Sequence, residues 1–340
     1  MRVLVTGGAG YIGSVVTAEL SRRGHQVTVL DDLSTGHRDA VHPQARFVRG
    51  SIADADAVFA RDAVDVVIHF AAKSLVAESV AAPQLYWANN VAGTLALLES
   101  MRAHDVRSIV FSSSAATYGD VGREPIAESA AAAPANPYGA SKLAVDQMLR
   151  SYADAYGFRA VSLRYFNVAG ALIGEGERFG ERHTHETHLI PIALQAAAGT
   201  RSALTVYGTD YPTPDGTCIR DYIHVLDLSD AHLQAAEWTL TAAETGSGVS
   251  SGQHLICNLG SGRGSSVREV VDSVRRVTGR STPTVDAEHR SGDPAVLVAS
   301  YERATAEFGW RPRRNLDEMV SDAWAFAQSQ PTELAAGSAG

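Results

Sequence analysis

Cysteine is scarce: only Cys218 and Cys257 occur in 340 residues. One pair in so long a chain is no disulfide framework, and the expectation is a soluble cytoplasmic protein with reduced thiols. No run of about 18 apolar residues occurs, so no segment is predicted to span a bilayer. The chain opens on Met1-Arg2-Val3-Leu4-Val5, without the charged start, apolar stretch and cleavage site of a secretory leader. Basic residues are outnumbered, 29 Lys and Arg against 38 Asp and Glu, for a net charge of −9. Such a surface repels nucleic acid and anionic membranes, and neither is expected as a partner. An anionic small molecule would have to be held by a few placed arginines. Glycine and proline follow no fixed period and no internal repeat is found, which excludes collagen-like and low-complexity classes.

What is present fits a folded protein: 45% of the residues are hydrophobic, and the length predicts about two domains with a substantial core. Arg2–Thr6 reads as a buried strand, followed by a helix over Gly13–Arg23 that Gly24 closes. Further strands are predicted at Gln26–Leu30, Arg46–Arg49, Val64–Phe70, Ser108–Ser112 and Ala160–Tyr165, and helices at Asn89–Ala103 and Tyr138–Tyr156. Strands alternating with helices predict a doubly wound α/β domain on a parallel sheet through about residue 167, with ligands at the carboxyl ends of the strands. After Asn167 the texture changes to clustered Gly, His and Pro. Ile219–Leu233 looks regular again, Thr241–Gly252 reads as a surface loop, and Ser266–Thr278 and Leu316–Gln328 as helices.

Four motifs carry chemistry. Thr6-Gly-Gly-Ala-Gly-Tyr-Ile-Gly13 follows a strand and opens a helix, the setting in which a glycine fingerprint binds a pyrophosphate on free helix N–H groups. Gly7 allows the turn, Gly10 the approach of the ligand, and Gly13 close helix packing. Asp31, at the end of the second strand, is placed to accept ribose hydroxyls and would repel a 2′-phosphate, which favours NAD over NADP; Asp32 reads more simply as a turn aspartate. In Tyr138-Gly-Ala-Ser-Lys142 the i, i+4 spacing puts an ammonium near a phenol, whose pKa it is expected to lower. Ser112-Ser113-Ser114 ends the fifth strand, where Ser114 could share a proton with Tyr138; the bland alternative is three small loop residues.

Two other groups are weighed. His183-Thr-His-Glu-Thr-His188 looks like a metal cluster, but its carboxylate partners read as thin, so a polar loop in the ligand cleft is expected, with no metal. Arg220 and the Arg290–Asp293 turn offer two arginines that could grip a diphosphate or form two surface ion pairs.

Together these residues resemble the extended short-chain dehydrogenase/reductase family, and within it the UDP-glucose 4-epimerases. The resemblance runs from Met1 to about Trp324 and is most specific over Val3–Gly13, Val67–Val80, Asn89–Leu95, Phe111–Gly119, Pro137–Lys142, Leu163–Gly170, Val206–Asp227 and Arg290–Asp293. It implies an NAD-binding Rossmann domain over 1–167, to which the chain returns at about 220–245. A smaller α/β UDP-sugar-binding domain is implied over 168–219 and about 250–333, with a flexible tail at 334–340. It implies a homodimer joined through helices of the first domain. The implied cofactor site comprises Gly7, Gly10, Tyr11, Ile12, Gly13, Asp31, Asp32, Ser34, Ser51, Ile52, Phe70, Ala71, Ala72, Asn89, Ser112, Tyr138, Lys142, Tyr165 and Phe166. The implied UDP-sugar contacts are Ser114, Tyr138, Asn167, His188, Leu189, Tyr207, Arg220, Arg290 and Asp293.

The implied reaction is oxidation of the sugar at C4, rotation of the 4-keto sugar and reduction on its other face. Tyr138 is the implied base, Ser114 its proton partner, and Lys142 the residue that tunes Tyr138 and binds the nicotinamide ribose. Four positions depart from the family pattern. Ser51 replaces an acidic residue, the lysine of Ala72-Lys73-Ser74 is displaced by one, His188 stands where others have asparagine, and Leu297 is intermediate in size at a gate that sets sugar range. Epimerases of UDP-GlcNAc/GalNAc, UDP-xylose/arabinose or UDP-glucuronate remain open alternatives. Dehydratases and decarboxylases of the superfamily need a carboxyl group just after the hydroxyl residue, and Ser114-Ala115-Ala116 offers none. A non-catalytic NAD-dependent regulator on the same fold would have no use for an intact Ser114, Tyr138 and Lys142.

Overall fold

Short runs of Val, Leu and Ile with side chains alternating between two buried faces form the central strands. The structure, a computed structural model, describes residues 1–122, 125–174, 176–184, 186–241, 252–290 and 293–330. The first half runs β1 (Arg2–Thr6), α1 (Tyr11–Arg22), β2 (Gln26–Asp31), β3 (Arg46–Arg49), α2 (Ala55–Phe59), β4 (Val66–His69), α3 (Val76–Ala81), α4 (Pro83–Tyr86), α5 (Gly93–Ala103), β5 (Ser108–Ser114), α6 (Pro137–Tyr156) and β6 (Arg159–Tyr165). The second runs β7 (Asn167–Ala169), β8 (Ala171–Ile173), β9 (Arg178–Gly180), α7 (Leu189–Ala198), β10 (Leu204–Tyr207), β11 (Ile219–His224), α8 (Val225–Thr241), β12 (Gln253–Leu259), β13 (Gly264–Ser266), α9 (Val267–Thr278), β14 (Thr284–Ala287), β15 (Val296–Leu297), α10 (Glu302–Phe308) and α11 (Leu316–Ser329).

Seven parallel strands in the order β3-β2-β1-β4-β5-β6-β12 make one doubly wound sheet. On one face Val3, Val5, Val29, Ile68, Val110 and Val161 meet Val16 and Leu20 of α1 and Leu228 and Ala235 of α8. On the other, Leu4, Leu30, Val67, Ile109 and Phe111 meet Leu97 and Met101 of α5 and Val145 and Leu149 of α6. Adjacent residues on each strand thus serve opposite cores, which is why these strands read as unbroken apolar runs. The smaller layer centres on β11, which pairs with β7 and β15 in parallel and with β13 antiparallel. The helices α7, α9 and α11 pack together there through Ile190, Leu194, Val270, Val274, Met319 and Val320.

Several expectations are corrected. β12 lies in the stretch assigned to the substrate part, yet it completes the main sheet beside β6, with Leu255 opposite Val161 and Cys257 opposite Leu163. The return to the main layer begins with α8 at Val225, since β11 belongs to the smaller sheet. Helix α1 starts at Tyr11, two residues early, with Gly10 in extended backbone as its cap. The helical stretch expected over Asn89–Ala103 is present without a break, but its start is π-helical over Trp87–Ala92 before α5 takes over at Gly93, and α3 and α4 precede it. Residues 242–251 of the expected loop and the expected tail at 334–340 lie outside the described residues.

Candidate active site

Because the seven strands are parallel, the carboxyl ends of β1, β2, β4, β5 and β6 share one edge, and the motif residues sit there. At β1, the Gly7 amide donates to the Leu30 carbonyl at 2.9 Å, and the Phe70 and Ala71 amides both donate to Thr6. A Cβ at Gly13 would stand 2.2 Å from the Gly7 carbonyl oxygen, so helix and loop can close only on glycine. A Cβ at Gly10 would meet nothing closer than 3.4 Å, leaving open space over the first turn of α1. That cradle, with no acidic residue in the first turn of α1, fits a pyrophosphate. Asp31 is buried, and its two oxygens accept the Ala9 amide at 2.9 Å and the Leu33 amide at 2.8 Å. Burial pushes its carboxyl up, against the pull of those amides. Asp32 accepts the Ser34 amide at 2.8 Å, as a turn aspartate does. Ser51 is taken up in a capping box with Asp54, and Ile52 is buried in the core. Tyr11 donates to the Gly170 carbonyl at 2.6 Å, tying the first turn of α1 to the chain after β7. Ile12 packs on the apolar core.

Ser114, Tyr138 and Lys142 are brought together. Asn136 caps α6 by accepting the Gly139 amide at 2.9 Å, and Pro137 takes the first position, where its missing N–H costs nothing. Ser114 accepts the Ala116 amide at 3.1 Å, and its hydroxyl is placed to pull the Tyr138 phenol down. Lys142 is 2% exposed and donates to the Ser112 carbonyl at 2.6 Å. The expected lowering of Tyr138 by Lys142 is corrected. The ammonium lies 5.9 Å from the ring centre, and burial pushes the phenol above its ordinary value, against a downward pull from Ser114. Burial also pushes Lys142 down to about 7. Ser112 and Tyr165 share a hydrogen bond through their hydroxyls. The Phe166 amide, just beyond, donates to Leu259.

Two residues that shape this site were not singled out by sequence. A Cβ at Gly139 would lie 2.2 Å from the Ala116 carbonyl oxygen, so glycine lets α6 press against the turn after Ser114. Asn90 is 2% exposed and binds the Lys73 amide and carbonyl at 2.8 and 3.0 Å and the Ser141 hydroxyl at 3.0 Å. It thereby joins the loop after β4, which carries Phe70, Ala71 and Ala72, to the catalytic face of α6. Asn89, the residue assigned to the cofactor, donates to Asn90 at 2.9 Å. The π-helical stretch is what offsets these adjacent side chains, and such insertions are frequent at functional sites. The adjacent Asn pair was the available signal.

The second half carries the other residues expected at the UDP-sugar. Asn167 donates to the Asp221 carbonyl at 3.1 Å. Arg220 pairs with Asp293 and also donates to the Ile219 carbonyl at 2.7 Å, while the Arg290 guanidinium lies 4.0 Å over the Tyr207 ring. One arginine is inward and paired, the other stacked, so they are not two similar surface ion pairs. Ser291 and Gly292 of that turn lie outside the described residues. Leu297 sits opposite Arg220 in the register of β11 and β15. His188 caps α7 and Leu189 begins it. The ground for expecting no metal at the histidine cluster is corrected, because Glu181 and Glu186 converge on His183 and His188. Against burial, their carboxylates hold His188 up to about 10, and they hold His183 up to about 9. His185 lies outside the described residues.

Residues 3–245 match the model of the NAD dependent epimerase/dehydratase family. A UDP-glucose 4-epimerase of Streptomyces lividans is 54% identical over 334 residues, 97% of each chain. A crystal structure of UDP-glucose 4-epimerase from Brucella ovis in complex with NAD superposes with a TM-score of 0.89 at 48% identity, covering 96% of this chain and 98% of that one. The enzyme from Bifidobacterium longum in complex with NAD+ and UDP gives a TM-score of 0.88 at 34% identity, over 97% and 99%.

Proposed function

The chain belongs to the NAD dependent epimerase/dehydratase family, and from that premise we propose that it interconverts UDP-glucose and UDP-galactose with NAD as its resident cofactor. The observation that carries this reading is the convergence of Ser114, Tyr138 and Lys142 beside the glycine cradle, with Ala115 and Ala116 where a dehydratase needs carboxyl groups. Bound NAD supplies reversible two-electron oxidation at the sugar C4. Tyr138 exchanges the proton of the 4-hydroxyl, and Ser114 holds the phenol and the substrate oxygen in one hydrogen-bonded line. Lys142, fixed on the Ser112 carbonyl, holds the cofactor ribose. Arg220 and Arg290 grip the diphosphate while the sugar stays free to turn, and Leu297 borders that space and sets which sugars enter.

The purified chain is expected to carry NAD and to convert UDP-galactose to UDP-glucose with no added oxidant. Bound NAD without turnover would overturn the reading. A screen of UDP-hexoses, their N-acetyl forms and UDP-pentoses reads the breadth set at Leu297. Asp31→Ala is expected to raise the NAD dissociation constant about tenfold or more, since hydrogen bonds to a charged group contribute about 1.5–3 kcal/mol. NADP binding should fall less, and titration with both nucleotides measures the difference.

The chain acts as a homodimer in the cytoplasm on this proposal. Val76, Val80, Leu85, Trp87 and Leu95 stand exposed on the consecutive helices α3 to α5, a face of the kind that a partner covers. Trp87→Glu with Leu95→Glu should halve the mass seen by sedimentation to that of one 36.0 kDa chain. Cys218 and Cys257 are buried free thiols, and among the described residues no helix is long and apolar enough to cross a membrane.

A further inference from the structure

The connection between β9 and α7 brings four side chains to one point. Glu181 directly follows β9, and His188 directly precedes α7. Nitrogen and oxygen donors alternate around the group. His183 Nδ1 lies 3.2 Å from Glu181 Oε1 and 3.4 Å from Glu186 Oε2. His188 Nδ1 lies 2.6 Å from Glu181 Oε1 and 3.1 Å from Glu186 Oε1. One donor atom from each of the four falls within 4.8 Å of all the others. Bonds of about 2.0–2.1 Å to a tetrahedral ion require edges of about 3.3 Å, so only small shifts would seat one.

The chemistry of the donors is selective. Two imidazoles with two carboxylates suit a borderline divalent ion such as zinc, whereas magnesium and calcium prefer oxygen ligands alone. The carboxylates are held in place: their side chains are 9% and 8% exposed, and Glu186 Oε1 accepts the Thr187 and His188 amides at 2.7 and 2.8 Å. The imidazoles, at 33% and 52% exposed, leave a path for an ion to enter.

We propose that Glu181, His183, Glu186 and His188 form a closed four-ligand site for one zinc-class divalent ion, which pins the β9–α7 connection. A set of four protein ligands leaves no open position, which marks a structural rather than a catalytic site. Its placement gives it something to hold together. Within the same connection, Arg182 pairs with Asp39 and its carbonyl meets His37 Nε2 at 2.9 Å. Both partners lie in the segment between β2 and β3, on the cofactor side. At the other end the site abuts Leu189, which opens α7. The ion would therefore fix the strap that joins the cofactor half to the start of α7, whichever UDP-sugar the protein turns over.

The test uses the whole enzyme, stripped with a chelator and titrated with cobalt(II). One equivalent should produce the strong visible absorption of tetrahedral cobalt, zinc should displace it one for one, and zinc should raise Tm. Glu181→Gln with His183→Ala should weaken cobalt binding beyond the about 10–100-fold that loss of an outer partner costs, while retained NAD shows that the variant is folded. Zinc-soaked crystals of the unaltered chain should show an anomalous peak among the four side chains, a result that needs no variant. Absence of that peak with no cobalt absorption would leave a self-neutralised cluster of ion pairs and overturn the proposal. Undiminished binding in the double variant would overturn it too.

Discussion

Tyr138→Phe is expected to lower kcat by about 10³-fold while NAD stays bound. General acid–base groups contribute about 10²–10⁴-fold, and this reaction needs its proton moved at the sugar oxygen in both directions. The substitution removes one hydroxyl and keeps the ring, which packs edge-on against Tyr86 at 6.3 Å, so the fold should be unaffected. Released nucleotide, measured after denaturing the variant, checks cofactor retention beside the rate. An unchanged rate would remove Tyr138 from its role. Burial raises the phenol in the structure as described, so the base function depends on what surrounds it during turnover. Lys142→Met tests that separately: it keeps the phenol but removes the cation, and because burial and Ser114 rather than Lys142 set the phenol here, kcat should fall without an upward shift of its pH profile.

Arg164→Met is expected to cost about 3–5 kcal/mol of stability, the range for one partner of a buried ion pair removed alone. Arg164 and Asp146 meet at 2.7 Å with side chains 4% and 3% exposed. Burial pushes the Asp146 carboxyl up, and Arg164 opposes that rise. Without Arg164 the carboxylate keeps the Ser113 hydroxyl at 3.3 Å and the Ser162 hydroxyl, but no paired cation. Replacing both partners, Asp146→Leu with Arg164→Met, should recover most of the loss, because neither charge is then stranded. Urea denaturation gives both values, and a single-variant loss under about 1 kcal/mol would contradict the buried pair. Asp146 stands one turn beyond Lys142 and supports its charge, so the double variant should also lose activity while remaining stable.

These two sites show where sequence reading reached and where it stopped. The placement of the glycine loop, Asp31 and Ser114 was legible from local spacing at the ends of strands, and that of Tyr138 and Lys142 from the i, i+4 spacing in the first turns of α6. The apolar runs of β1, β4, β5 and β6 were legible because strands buried on both faces leave unbroken hydrophobic stretches. Asp146 and Arg164 were not, since a buried charge pair across α6 and β6 leaves no periodic trace. The helix through Asn90 was legible, but its π-helical start and the short helices before it were not, because Pro83 and the π-helical insertion break the 3.6-residue period there. Glu181 and Glu186 become partners of the histidines only when the chain after β9 turns back on itself. β12 carries a clear apolar pattern, but no local feature says which sheet it joins.

That strand has a consequence for how the protein is made. β12 pairs with β6 along its whole length, from Gln253 beside Arg159 to Leu259 beside Tyr165, and β7 through β11 are synthesised in between. While the chain emerges from the ribosome, β6 must wait with an unpaired edge, bearing Val161 and Leu163, until residue 259 is free. An open apolar edge of that kind templates aggregation, and pairings so distant in sequence form slowly. Nascent chains halted between α8 and β12 should therefore depend on chaperones far more than the finished protein does.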